Sequence, residues 1–185
     1  MATSKSITKK KTAKRTTKKS APKRKTATKS KSTPIETFSS AVAYLLEQTD
    51  FERMRVVQYD ETTFKLDRMR TLLKALGNPQ DKVSLIHVAG TVGKGSTVAM
   101  LSSMLRGNGY TVGEYTSPHL TDIRERVVVN GEMISEESFT DILKDVVAAA
   151  KKEKVTPTFF ELMTAIGFKY LVNSLNKVSL AFSGH

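Results

Sequence analysis

The residues best suited to do chemistry stand between His87 and Thr97, in the run His-Val-Ala-Gly-Thr-Val-Gly-Lys-Gly-Ser-Thr. An apolar stretch, Ser84 to Ala89, precedes it and reads as a buried strand. Val98, Met100, Leu101, Met104 and Leu105 follow at helical spacings. Strand, glycine loop and helix together form the setting in which backbone N–H groups and a helix N-terminus hold phosphate. Gly90 and Gly93 let the backbone turn tightly and approach an anion, and Thr91, Val92 and Gly95 complete the loop. Lys94 supplies a point charge for β/γ-phosphates, and Ser96 or Thr97 a hydroxyl for Mg²⁺. The common spacing GxxxxGK[ST] would need a glycine at Val88, whereas this chain has the shorter G-x-x-G-K-G-S. Lys and Ser in register after the glycines favour a nucleotide site over an ordinary glycine turn.

The elements that must position this loop lie in one part of the chain. Residues Met1 to Pro34 contain 13 Lys and Arg and no acid, while Ile35 to His185 hold 17 basic and 18 acidic residues. The net charge of +12 therefore belongs to the tail. With Ile7 as its only large apolar side chain, residues 1–34 are expected to be a disordered Lys-rich arm, unable to offset chain entropy by burial. Such arms associate with nucleic acid through counterion release without reading sequence. A solubilising extension fits equally, because no aromatic is interleaved to stack on bases. The tail lacks the apolar core of a secretory signal and the amphipathic, Arg-rich pattern of a transit peptide. No run approaches the length of a membrane span, and the absence of cysteine excludes disulfides and thiolate metal sites. A cytoplasmic monomer is the default expectation.

The remaining residues, 35–185, suffice for one domain with a core. Thr37 is placed to cap a helix bearing Phe38, Ala41, Val42, Leu45 and Leu46, and a second carries Leu66, Met69, Leu72, Leu73 and Leu76 up to Gly77. A short strand, Tyr110 to Tyr115, leads into a loop, Thr116 to Asp122. Arg126 to Ile134 reads as a hairpin about Asn130-Gly131. Ser135 caps a helix to about Lys152, and Thr158 opens another with Leu162, Ala165, Ile166 and Leu171 inward. Val178 to Phe182 reads as a further buried strand. The alternation predicts an α/β fold, a parallel sheet with flanking helices.

Four ordered motifs now carry a resemblance: Phe64 to Gln80 (FKLDRMRTLLKALGNPQ), Ile86 to Thr97, Tyr115-Thr-Ser-Pro-His-Leu120, and Thr158 to Phe168 (TFFELMTAIGF). Together they resemble the folylpolyglutamate synthase/dihydrofolate synthase family of the Mur ligase superfamily, over roughly Thr37 to Tyr170. Lys-Gly-Ser at 94–96 favours the folate branch over the peptidoglycan ligases. The resemblance implies a P-loop, Mur-ligase-type central ATPase domain and an ATP-dependent ligase that joins L-glutamate to folate or to dihydropteroate. In that family ATP phosphorylates a carboxylate, and the glutamate amine then attacks the acyl phosphate. Like charges must approach, so cations and aligned N–H groups have to screen them. Lys94 would be the catalytic cation, with ATP held by Gly90 to Thr97.

The resemblance also implies metal contacts at Ser96, Ser117 and Glu161, with Mg²⁺ as the metal. Each has a plainer reading: Ser117 before Pro118 starts a turn, and Thr158-x-x-Glu161 is a capping box that needs no metal. Pro118 and His119 fall in the loop near the acceptor, although a lone His is more often a packing residue. Phe159 and Phe160 would line a pterin pocket, although aromatics on a helix's first turn more often belong to the core. Asp122, Arg124 and Glu125 read as solvated charges.

Two departures stand out. Val92 replaces the family's Asn, which removes a side-chain hydrogen bond of about 1 kcal/mol and leaves the backbone donors in place. After Tyr170 the family would run into Glu-x-Gly-Leu-Gly-Gly-Arg, whereas the sequence here closes on Lys177 to His185. The expectation is an incomplete ATPase domain without the family's C-terminal domain, truncated and inactive as this chain. The alternative is a nucleic-acid-associating protein in which the basic tail acts and the ATP-binding domain is degenerate.

Overall fold

The computed structural model describes residues 34–50, 66–174 and, for its backbone, 178–183, all within one unit spanning Ser32–His185. The basic tail, apart from Pro34, and the Phe64 end of the first family motif lie outside the described residues.

Helix α1 (Phe38–Leu46) begins where the sequence placed its cap. The Thr37 hydroxyl accepts from the Ser40 N–H, and the Ser40 hydroxyl oxygen accepts from the Thr37 N–H, so two otherwise orphaned donors are satisfied. Helix α2 (Leu66–Ala75) turns Leu72 and Leu73 inward and leaves Leu66 exposed. It ends at Gly77, whose φ of 83° is the left-handed backbone that glycine tolerates best.

Strand β1 (Ser84–Val88), helix α3 (Lys94–Gly107) and strand β2 (Thr111–Tyr115) follow. Then come the hairpin β3 (Val127–Val129) and β4 (Glu132–Met133), helices α4 (Glu136–Lys152) and α5 (Phe159–Ser174), and strand β5 (Val178–Ser183). Asn130 and Gly131 both have positive φ, as a two-residue hairpin turn demands. The Asn130 side chain accepts from the Val112 N–H at 2.9 Å, pinning the turn to β2.

The sheet order is β1-β5-β2-β3-β4. The first three strands are parallel and the hairpin strands β3 and β4 antiparallel, so the parallel sheet carries the expected hairpin at one edge and is mixed. The short Asn-Gly turn can join β3 and β4 only as antiparallel neighbours. Successive residues of β2 point to opposite faces. On one face the Ser102 hydroxyl of α3 donates to Glu114 at 2.5 Å. On the other, Tyr115 lies against Gly167 of α5, where an added Cβ would stand 2.9 Å from the ring. Helix α4 packs on α5, with α1 and α2 against that layer.

The core sits on this second face, built from Phe139, Leu143 and Val146 of α4 and Leu162, Met163 and Ile166 of α5. Burying each such side chain is worth about 1.5–3 kcal/mol. The α3 face differs. Leu85, Met100 and Met104 are 49%, 58% and 61% exposed, so β1 is not the buried strand its apolar run suggested.

The loop from Thr116 to Arg126 is built by charges rather than by apolar packing. Asp122 caps the short 3-10 turn Ile123–Arg126, and its carboxylate takes the Arg124 guanidinium at 2.7 Å. The Glu125 carboxylate accepts the N–H groups of Leu120, Thr121 and Asp122 at 2.7, 3.0 and 2.8 Å. The three residues expected to be solvated charges are thus the loop's internal frame. The Arg124 hydrogen bond holds Asp122 below the usual carboxylate range. The N–H donors of Asp122 and Leu120, then of Thr121, do the same for Glu125.

Two outcomes follow from this packing. Gly167→Ala gains about 1 kcal/mol of helix propensity but overpacks Tyr115 by roughly 1–3 kcal/mol, so a net loss on the order of 1 kcal/mol is expected in urea unfolding. An unchanged midpoint would show that the α5–β2 approach is not close. For the loop, both carboxylates are depressed in the folded state, so their stabilisation is complete above the ordinary carboxylate pKa of about 4 and is lost as pH falls through the folded values. Glu125→Gln should therefore flatten the acid limb of a stability–pH curve, and an unaltered limb would refute the assignment.

Candidate functional site

The glycine loop leaves β1 at Val88. Gly90 has φ 155° and Gly93 φ 81°, and Gly93 is the N-cap of α3 with no side-chain cap. The first intrahelical bond runs from the Thr97 N–H to the Gly93 carbonyl at 2.9 Å, so the N–H groups of Lys94, Gly95 and Ser96 have no earlier carbonyl in the helix to use. These donors lie at the positive end of a 14-residue helix dipole, an arrangement suited to an anion. Lys94 Nζ donates to the Gly90 carbonyl at 2.7 Å, which lays the ammonium back across the loop. Thr97 turns its hydroxyl to the Gly93 carbonyl at 2.9 Å, while Ser96 is exposed. Of the two hydroxyls left open by the sequence, Ser96 is the one not committed to the helix. Thr91, Val92 and Gly95 are exposed beside it.

The second loop leaves β2. Its position follows from register: Val88 of β1 pairs with Ser183 of β5, and Tyr115 of β2 with Phe182. Both loops therefore rise from the carboxyl ends of parallel strands, one strand apart, where open α/β sheets place their ligands. Two interstrand spacings put β1 and β2 about 10 Å apart. The Thr116 N–H donates to the Arg126 carbonyl at 3.0 Å, and a cis peptide joins Ser117 to Pro118. Ser117 Oγ is buried with no hydrogen-bond partner among the described residues. A buried hydroxyl left this way is costly unless something completes it.

The remaining predicted residues form two groups. Arg126 is buried, donates from Nε to His119 Nδ1 at 2.9 Å, and lies over the Phe159 ring at 5.1 Å. Phe159 is core, as its place on the first turn suggested, and Phe160 is exposed with its ring 6.5 Å from that of Tyr115. Pro118 is exposed. His119 accepts at Nδ1, so the neutral ring carries its proton on Nε2.

Glu161 has the contacts of its plainer reading. Its Oε2 accepts the Thr158 N–H at 2.7 Å, the Glu161 N–H reaches Thr158 Oγ1 at 3.3 Å, and the capping box is complete. Arg68 Nε meets both carboxylate oxygens, at 3.0 and 2.8 Å. The carboxylate expected to hold a metal is thus already compensated by a cation. Among the described residues no three His, Cys, Asp or Glu side chains gather as a metal cluster. Of the three residues the resemblance implies, Ser117 has a hydroxyl without a hydrogen-bond partner among the described residues, Ser96 is exposed, and Glu161 has Arg68 and the Thr158 N–H as partners.

Sequence reasoning missed Arg68 and Arg126. For Arg68 a signal existed: it stands four residues before buried Leu72, on the inward stripe of α2. For Arg126 none did, since a cation at the mouth of Val-Val-Val reads as a strand end. No helix among the described residues is long and apolar enough to cross a membrane.

No family model matches the chain. A dihydrofolate synthase/folylpolyglutamate synthase of Bacillus subtilis is 48% identical over 109 residues, which are 57% of this chain and 25% of that protein. The crystal structure of folylpolyglutamate synthase from Thermotoga maritima superposes with a TM-score of 0.65 at 34% identity, covering 78% of this chain and 32% of the other. E. coli FolC in complex with DHPP and ADP gives 0.66 at 29% identity, covering 80% and 33%. The chain spans about a quarter of the length of the curated relative and a third of the solved structures. In sequence and in fold it is similar, over that part of their length, to the folylpolyglutamate/dihydrofolate synthases, the resemblance its motifs imply.

Proposed function

We propose that this chain carries the ATP-phosphate site of an ATP-dependent ligase that adds L-glutamate to folate or to dihydropteroate. The observation that carries the reading is the uncapped N-terminus of α3, where Lys94 and three backbone donors follow a glycine turn at the carboxyl end of a parallel strand. In the reaction an acceptor carboxylate oxygen attacks the γ-phosphorus of ATP, and ADP leaves. The glutamate amine then attacks the acyl carbon, a proton is lost from nitrogen, and inorganic phosphate departs. The chain's own part is to hold and screen. Lys94 leaves the Gly90 carbonyl for the β/γ-phosphate oxygens, and the N–H groups of Lys94, Gly95 and Ser96 take the others without reorganisation.

Ser96 and Ser117 are the residues that would hold Mg²⁺, which supplies charge neutralisation between phosphates and carboxylate. Two hydroxyls are hard, neutral ligands, so the metal would arrive chiefly as a complex with the nucleotide. The second loop would face the acceptor: His119 lies on it, held at Nδ1 by Arg126, and exposed Phe160 offers a ring face. Phe159 supports that surface from beneath and does not touch the acceptor.

Lys94→Ala tests the site. A hydrogen bond to a charged group is worth about 1.5–3 kcal/mol, so affinity for a fluorescent ATP analogue should fall by roughly 10–100-fold while the helical circular dichroism is unchanged. Unaltered affinity in the folded variant would sink the phosphate-loop assignment.

A further inference from the structure

We propose that Glu114 is a positioning residue for the phosphate loop, because it seats helix α3 on strand β2 through Ser102. The helix has little else to hold it. Of its 14 residues only Val98 and Ser102 are buried, while Met100 and Met104 are exposed. Val98, Ser102 and Arg106 recur at every fourth position, which puts them on one stripe of the helix. Val98 gives that stripe apolar burial, which is non-directional and by itself lets a helix slide or roll. Ser102 gives it direction. Its fully buried hydroxyl donates to Glu114 Oε1 at 2.5 Å, and a hydroxyl on a carboxylate makes the short, charge-assisted kind of hydrogen bond. One turn further on, at the solvent edge, Arg106 Nη1 donates to the Asn130 carbonyl at 2.9 Å. Asn130 is itself tied to β2, its N–H donating to the Val112 carbonyl at 2.8 Å and its side chain accepting from the Val112 N–H.

Where Glu114 stands in the chain gives this contact its consequence. It precedes Ser117 by three positions, at the end of β2 from which the second loop leaves. Ser102 follows Ser96 by six, on the helix whose first turn carries the free N–H donors. One hydrogen bond therefore ties the element that presents the phosphate donors to the element that presents Ser117. Breaking it does more than loosen the helix. A half-buried carboxylate would then face α3 without its donor, so the helix gains a reason to lift as well as the freedom to do so. Backbone donors hold an anion only as well as the helix that carries them is held. The anion is that of the ligase reading, on which this inference rests for its ligand, whereas the seat stands on the contacts alone.

The test uses the full chain, whose sequence has no cysteine, so spin labels attach only where cysteines are introduced. Met104→Cys on α3 and Leu120→Cys on the second loop, both exposed positions, give a helix-to-loop distance by pulsed electron paramagnetic resonance. In that parent, Glu114→Ala and Ser102→Ala remove the bond, and Glu114→Gln keeps an acceptor for the Ser102 hydroxyl. Affinity for a fluorescent, non-hydrolysable ATP analogue is measured alongside, with helical circular dichroism as the check on folding. Both alanine variants should shift or broaden the distance and weaken analogue binding roughly 3–10-fold, the size of one net hydrogen bond. Glu114→Gln should hold the distance and stay within about twofold of the parent's affinity. Lower stability alone would neither move the distance in folded protein nor spare the Gln variant. An unmoved distance in the folded alanine variants overturns the proposal. So does a moved distance with unchanged affinity, or a Glu114→Gln variant as impaired as Glu114→Ala. If Glu114→Ala does not fold, Ser102→Ala, which deletes one oxygen, decides the matter. If the parent binds no analogue, the function proposed above fails, and the distances still decide whether Glu114 seats α3.

Discussion

The arrangement depends on strand β5. Strands β1 and β2 do not pair with each other; each is hydrogen-bonded in parallel to β5, which lies between them. The register on its two sides brings Val88 and Tyr115 to the same end of the sheet, opposite Ser183 and Phe182. The glycine loop and the Ser117 loop stand at the same end of the sheet for that reason. A one-residue slip on either side would turn a full strand of side chains to the wrong face and carry one loop away from the other.

The two faces of this sheet are held in different ways. On the α4–α5 face, Tyr115, Phe139, Leu162 and Ile166 are fully buried or nearly so, and the loop above them is cross-braced by Asp122, Arg124 and Glu125. Loop geometry there is set by a packed core below and fixed charges within. On the α3 face, Met100 and Met104 stand in the open. The glycine loop takes its shape from backbone conformation at Gly90 and Gly93 and from the Lys94–Gly90 contact, with little packing to help. A loop of that kind adapts to an anion, since few contacts have to break when Lys94 lets go of a carbonyl.

Local signals were legible in the sequence wherever local chemistry decides the outcome. Thr37, Ser135, Gly77 and Asn130-Gly131 each marked an element boundary because capping and positive φ depend on a few neighbouring residues. The inward stripe of α5 was also readable, because helical periodicity and burial coincide there. Burial of β1 was misread. An apolar strand is buried only if something lies against it, and the sequence of a strand does not say what does. The hairpin was readable at Asn130-Gly131, but the strand order was hidden, since it is a property of long-range pairing. The charges from Asp122 to Glu125 were misread for a related reason: spacing shows that Asp122 and Glu125 can cap a turn, but not that three N–H groups will converge on one carboxylate.

Glu161 shows how one spacing can carry two chemistries. Thr-x-x-Glu before an apolar run is a capping box by geometry, and in a family with a metal site the same carboxylate is also a candidate ligand. The two roles compete for the same lone pairs, so the partners that surround the group decide between them. Here one of those partners is Arg68, 93 positions earlier and on another helix. No local pattern around Glu161 contains it. An ionised carboxylate has about four lone-pair sites, so one guanidinium N–H and one backbone N–H leave acceptor capacity open, and a buried hydroxyl with no partner gains from any electrophile that reaches it. In the structure Glu161 joins α2 to the first turn of α5 through Arg68 and the Thr158 N–H. On that same turn Phe159 lies beneath the Arg126 guanidinium, and Arg126 donates to His119, so one helix start touches both α2 and the loop that carries Ser117.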